Sequence, residues 1–463
     1  MAIEYIGLKK IEGSIAVAEG VSDAMYDEIV TMTVDEGQKR TGRIVAISGD
    51  KAVIQVFEGT KGLSLTNTRT KMSAKPMEIG LSKEILGRVL DGLARPIDGL
   101  GEYFADEVRN VNGKPMNPVA REYPNNFIQT GISSIDALAT LIRGQKLPIF
   151  SGDGMPHDTL AMQIASQARI TDTDGEDNFA IVFAAMGVKH DVASFFKRSF
   201  EENGVLQKVV MFLNLSSDPV AERIITPRCA LTAAEYLAFD CNMHVLVILT
   251  DMTSYSEALR EISSSRGEIP SRKGFPGYLY SDLASLFERA GIIKDCRGSV
   301  TQMPILTMPN DDITHPVPDL TGYITEGQIV LGREQNQKGI YPPVSILPSL
   351  SRLMKDSIGE GYTREDHPAL ANQLFAAYSK VEDARSLASV IGEDELSEID
   401  KRYLKFGQKF EEEFLNQDKK DNRSIEKTLD LGWKLLGILP KSELDRVDDA
   451  ILNKYYKEER TDE

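Results

Sequence analysis

Between residues 146 and 266 the chain repeats one pattern four times: a short apolar run of strand character, then a stretch with helical spacing. KLPIFSG (146–152) leads into DTLAMQIASQARI (158–170), and NFAIVFAAMG (178–187) precedes ASFFKRSFEENG (193–204). KVVMFLNLS (208–216) is followed by VAERIITPRCALTAAEYLAF (220–239), and HVLVILTDM (244–252) by YSEALREISSSR (255–266). Continuous apolar strands need cover on both faces, and helices between them supply it. The pattern therefore predicts an α/β core built on a mostly parallel sheet, expected over residues 76–355. Such a sheet binds ligands at the carboxyl ends of its strands, where the loops into the helices lie.

The flanking sequence has a different texture. In residues 1–75, EIVTMTV (28–34), TGRIVAIS (41–48) and KAVIQVFEG (51–59) are rich in Val, Ile and Thr. They are broken by turn chemistry at Asp35-Glu36-Gly37 and Gly49-Asp50. Short strands at close spacing with no helix between them predict a small N-terminal β-barrel. At the other end, residues 401–463 hold 14 basic and 15 acidic side chains. Apolar positions recur there at helical spacing, as in Tyr403, Phe406, Phe410, Phe414 and again Leu429, Trp433, Leu436. A C-terminal helical bundle with a solvated charged face is expected over 356–463.

Charge and composition narrow the function. With 53 Lys+Arg against 70 Asp+Glu the net charge is -17, which gives no field for binding nucleic-acid backbones. The three cysteines, Cys229, Cys241 and Cys296, make no C-x-x-C pair and no disulfide framework, as expected of buried thiols in a reducing, cytoplasmic setting. The first twenty residues carry charges throughout and lack a signal-like apolar core, so any membrane role is expected to come through a partner. His190, His244, His315 and His367 form no spaced metal set, and no metal site is expected of this chain.

The first strand–helix turn, Ser151-Gly152-Asp153-Gly154-Met155-Pro156-His157-Asp158, stands where such a fold places a phosphate-binding G-x-x-x-x-G-K-[ST] loop. Ser151 replaces the first glycine and Pro156 the second, removing an amide donor. His157 replaces the lysine, and Asp158 replaces the hydroxyl with a negative charge at the helix N-terminus, which it can satisfy as a cap or first-turn acid. Thr159 keeps a hydroxyl one residue out of register. The loop has the address of a nucleotide site without its chemistry; an ordinary turn that never bound nucleotide reads equally well from these residues alone. After NFAIVFAAM, Gly187-Val188-Lys189 offers valine where related hydrolases carry a glutamate, and Val188 cannot orient water. Asp251, closing HVLVILTD, is a candidate carboxylate for Mg²⁺, acting directly or from one layer behind, and Lys189 a candidate lining residue.

Further segments are legible together. GRVLDGLARPIDGLG (87–101), QTGISSIDALATLIRGQKLPIFSGDG (129–154), GFPGYLYSDLASLFERAG (274–291) and PPVSILPSLSR (342–352), with the degenerate G-x-P-H loop, resemble rotary ATPase sequences. Over essentially its whole length the chain resembles the non-catalytic B subunits of V-type/A-type ATPases. Ser345 departs from the pattern at a position where that family usually shows Asn or Asp. The resemblance implies a ring of three catalytic A and three B subunits around central rotor subunits, held by a peripheral stalk. It would sit on the membrane only through the complex, which couples ATP hydrolysis or synthesis to H⁺ or Na⁺ transport. It implies ATP/ADP with Mg²⁺ at the A/B interface and none bound by this chain alone. Ser349, Ser351 and Arg352 would face that nucleotide, with Arg352 as an arginine finger acting in trans. Gly152, Asp153, Gly154, Pro156, His157 and Asp158 would form a vestigial loop, and 274–283 would face the rotor. The alternative is a regulatory module that senses ATP or ADP at the vestigial loop without catalysis.

Overall fold

The computed structural model describes residues 4–34, 37–113, 116–170 and 178–459. Asp35 and Glu36 of the expected turn lie outside them.

Seven antiparallel strands form the N-terminal unit, in the order Glu4–Ile6, Arg69–Pro76, Glu28–Thr33, Lys39–Ser48, Lys51–Val56, Ile15–Glu19, Lys10–Glu12. The two outermost strands are consecutive in sequence. The Gly7 and Leu8 amides donate to Thr68 and Leu65 on one side, and the Lys9 amide to Val17 on the other, so residues 7–9 close the sheet into a barrel. Alternate side chains point inward, among them Val30, Met32, Ile44, Ala52, Ile54 and Val56, and they form a core of their own.

The central sheet runs Val344–Ser351, Gly327–Leu331, Ile149–Gly152, Ser299–Met308, His244–Thr250, Phe179–Val188, Val209–Leu215, Val89–Asp91. All neighbours on this path are parallel except the edge strand Val344–Ser351, which runs antiparallel to Gly327–Leu331. Side-chain alternation divides Phe179–Val188 between two cores. Ile181, Phe183 and Ala185 pack under the helices His157–Gln167 and His190–Glu202, while Val182, Ala184 and Met186 face Thr226–Glu235 and Met252–Ser265. The expected helix over 220–239 is in fact two, Val220–Arg223 and Thr226–Glu235, followed by a widened turn at Tyr236–Asp240. Pro227 sits in the first turn of the second, where its missing N–H has no helical partner to lose. The helix expected over 158–170 stops at Gln167, and Arg169–Ile170 pairs instead with Phe127–Gln129.

Residues 367–455 are helical, chiefly His367–Ile391, Glu398–Lys409, Ile425–Leu436 and Asp449–Tyr455. Phe406, Phe410 and Phe414 stack on one another as their spacing predicts, with ring centroids 5.6 and 4.9 Å apart. They belong to the same continuous core as one face of the central sheet, together with Leu370, Leu374, Tyr378 and Trp433. Among the described residues no helix is long and apolar enough to cross a membrane.

Candidate functional site

Strand Ile149–Gly152 delivers the degenerate loop at the carboxyl end of the sheet. Ser151 is fully buried, and its hydroxyl pairs with His157 Nδ1 at 3.0 Å. The side chain in the lysine position is thereby tied back to its own strand. Pro156 takes the N-cap position of helix His157–Gln167 without a side-chain hydrogen bond to the helix amides. Of the two places open to Asp158, cap or first-turn acid, the structure shows the second, with its carboxylate 3.7 Å from His157 Nε2. Burial raises the Asp158 carboxyl above its ordinary range; His157 opposes the rise, and the carboxylates of Asp251 and Asp191 add to it. The loop is held from outside by a pair that sequence reasoning missed. Arg333 forms two hydrogen bonds to Asp311 and donates from Nη2 to the Asp153 carbonyl at 3.1 Å. Gly152 leaves room for that pair, since a Cβ there would lie 2.0 Å from Asp311 Oδ1 and would displace it. Asp153 and Gly154 face solvent.

The neighbouring strand ends are engaged within the chain. Asp251 Oδ1 accepts from the Thr253 and Thr307 amides, and its Oδ2 from the Thr307 hydroxyl at 2.6 Å. Burial raises its carboxyl despite the Thr307 bonds. Gly187 adopts a left-handed backbone (φ 68°), and a Cβ there would meet Ser254 Oγ at 2.1 Å. Its amide donates to Asn214 Oδ1, which also accepts from Arg223 Nε. Val188 is half-buried, and Lys189 and His190 are exposed.

The signature segment is the antiparallel edge strand Val344–Ser351. The Ser349 hydroxyl accepts from the Val330 amide and donates to the Ser345 carbonyl, so it stitches a bulge between two strands. The Ser351 hydroxyl meets the buried Gln145 amide at 2.9 Å. Arg352 follows directly. Its backbone N–H donates to the Glu326 carbonyl at 2.8 Å, and its side chain is exposed. Among the described residues no side chain holds its guanidinium. Gln145 and Lys146, which flank it through Ser351 and Glu326, gave no sequence signal, because their partners lie about 180–206 positions away.

Strand register separates the two candidate regions. Ile149 is level with Ile329, which puts Gly152 level with Gly332, while Ser351 is level with Gly327. Five residue steps at ~3.3 Å place the loop and Arg352 about 16 Å apart along the strands, at opposite ends of the sheet.

Comparison with known proteins identifies this architecture. Residues 9–69 match the beta-barrel domain of the ATP synthase alpha/beta family, 131–351 its nucleotide-binding domain, and 356–456 the C-terminal domain of V and A type ATP synthase. The V-type ATP synthase beta chain 2 of Clostridium tetani is 64% identical over 457 residues, covering 99% of both chains. The chain belongs to the V-type/A-type ATP synthase beta (B) chain family. The V-type ATP synthase beta chain of Halothermothrix orenii is 63% identical over 454 residues, covering 98% of both chains. Among solved structures, the ATP synthase subunit NeqB from Nanoarcheaum equitans superposes with a TM-score of 0.73 at 40% identity, covering 91% of this chain and 98% of that one.

Within this beta-chain fold the remaining candidates have local roles. Cys229 is buried, and His367 is fully enclosed. His315 caps helix Pro316–Ile324 through the Val317 amide. In the 274–283 segment, Phe275 packs under Arg260, and Asp282 accepts from Arg228 and Tyr255, so only Tyr278 and Tyr280 of its large apolar side chains reach the surface.

Proposed function

We propose that this chain alternates with catalytic A subunits in a head ring and completes their ATP sites through Arg352, while its own loop does no chemistry. The observation that carries this reading is the exposed guanidinium of Arg352, unheld among the described residues, about 16 Å along the strands from a loop whose lysine position is tied to Ser151. The triphosphate of one nucleotide is too short to touch both. A head-to-tail ring brings one end of each subunit against the opposite end of the next, and such contacts close when the rotation allows. There Arg352 would meet the γ-phosphate bound mainly by the partner. Its permanent charge and planar fork suit the three equatorial oxygens of the transferring group. Mg²⁺ would arrive with the nucleotide and offset phosphate charge. The Ser349 and Ser351 hydroxyls hold the strand that aims the arginine. Rotor subunits and a membrane sector would convert the cycle into H⁺ or Na⁺ movement, with this chain peripheral to the membrane.

The test is ATPase turnover of a head reconstituted with the catalytic partner, wild type beside Arg352→Ala. A finger is worth ~10³–10⁵ in rate, so a loss of at least a hundredfold is expected with the ring intact by native mass spectrometry. Unchanged turnover sinks the reading.

One observation favours a second reading, regulatory binding of ATP or ADP at the loop. The helix N-terminus at His157 lacks a side-chain cap among the described residues, and Gly154 beside it is exposed. Calorimetric titration of the isolated chain with Mg-ATP decides it; no heat at ~1 mM removes it.

A further inference from the structure

The root of the Arg352 side chain is held from behind. Among the described residues no side chain holds its guanidinium, so the backbone at 351–352 sets only the Cα–Cβ direction from which it extends, and three contacts fix that backbone. Ser351 pairs with Gly327, where a Cβ would lie 2.2 Å from the Leu350 carbonyl. The Gln145 amide bonds the Ser351 hydroxyl at 2.9 Å, and the Arg352 N–H donates to the Glu326 carbonyl. Glu326 is itself held by two residues: Gln145 Nε2 donates to its carbonyl at 3.3 Å, and Lys146 makes the larger set of contacts. Lys146 receives the Glu326 amide at its carbonyl and donates its own amide to Glu326 Oε2 at 2.8 Å. Its ammonium sits 2.9 Å from Glu326 Oε1 and 2.8 Å from Glu288 Oε1.

Lys146 is 6% exposed, whereas Glu288 is half exposed. A buried ammonium shared by two carboxylates holds together groups that repel each other without it. Removing it takes the ammonium from Glu326 while Glu288 keeps Arg121 at 3.4 Å, and the carbonyl that positions Arg352 belongs to Glu326.

We propose that Lys146 is a positioning residue for the trans-acting arginine, working through the Glu326 backbone, with Gln145 as a second support at Ser351. This rests on the assignment of Arg352 above. Displacing a reacting group by about 1 Å through a remote contact can reduce rate ~10²-fold.

The experiment is a double-mutant cycle in the reconstituted head, with assembly checked by native mass spectrometry: Lys146→Met, Arg352→Ala, the double variant, and Lys146→Arg. Lys146→Met is expected to lower kcat by about tenfold to a hundredfold with KM for ATP little changed, and to add nothing on the Arg352→Ala background. Lys146→Arg keeps the charge and is expected to recover most of the loss. Equal losses on both backgrounds, or no loss from Lys146→Met, would overturn the inference. If Arg352→Ala alone has no effect, it is the assignment of Arg352 that fails. Should the Lys146→Met head not assemble, Glu326→Gln, which retains an acceptor for the Lys146 amide, takes its place in the cycle with the same outcomes.

Discussion

His367 joins the helical region to the short helix Ser133–Leu138 of the central domain, and its chemistry makes that joint sensitive to acid. The ring is fully buried at the first residue of helix His367–Ile391. Its Nε2 lies 3.0 Å from the Ala137 carbonyl and so donates to it. Nδ1 lies 3.0 Å from the Thr363 hydroxyl, which also accepts from the Gly359 amide, so Nδ1 is the acceptor of a neutral ring. Burial, the largest influence, lowers the imidazole from its usual 6.5 to about 4, against the Ala137 bond and the Asp366 charge. The folded state thus binds the proton less readily than the unfolded chain. The associated stability is fully present above pH 6.5 and is lost as pH falls toward 4. The gap, at ~1.36 kcal/mol per pH unit, comes to about 3 kcal/mol, of which about 2 kcal/mol should be gone near pH 5. The single tryptophan, Trp433, donates to Asp366 next door, so its fluorescence reports on this joint. Urea unfolding followed at Trp433 near pH 7.5 and near pH 5, wild type beside His367→Gln, isolates the effect from other groups that titrate in the range. The wild type should lose about 2 kcal/mol more than the variant on acidification. Identical losses in the two proteins would refute the buried neutral histidine.

Three further outcomes are expected. Phe410→Ala, which opens a hole in the aromatic stack, should destabilise the chain by about 3–5 kcal/mol, read as a fall in urea midpoint. Gly327→Ala should push the Leu350 carbonyl away and loosen the edge strand, lowering both thermal stability and head turnover; a neutral result would contradict the close approach at that position. Burial raises the Cys229 thiol well above its ordinary range, so alkylation near pH 8 should leave it unlabelled in the folded chain and label it after denaturation, as mass spectrometry can follow.

The sequence announced what local pattern can announce. Strands such as Phe179–Val188 and His244–Thr250 were legible because both faces are buried and the apolar run is unbroken. The aromatic spacing from Tyr403 to Phe414 gave a helical face for a different reason, its recurrence every three or four residues among charged ones. Helix ends were less legible: Val220–Arg223 and Thr226–Glu235 look continuous in composition, and the break falls at Ile224 and Ile225, just ahead of Pro227 in the first turn of the second helix. The loop substitutions were readable residue by residue, yet not that His157 would turn back to Ser151. What lay beyond the sequence were pairings set by tertiary closure, Arg333 with Asp311 and Lys146 with Glu326 and Glu288. A lone lysine in a strand-leading segment carries no periodicity, and its partners become neighbours only when the sheet forms.

The separation of loop and arginine along one sheet gives the molecule a polarity. Under the proposed assembly each copy is a donor at one end and an ineffective receiver at the other. Two copies placed side by side would present Arg352 to a loop whose cation position is His157, and that junction would be silent. A working ring then requires interleaving with a different chain, and its number of active junctions is set by how many such partners are present. Surplus copies of this chain would dilute the head instead of enlarging it, so the ratio in which the two chains are made becomes a control on output.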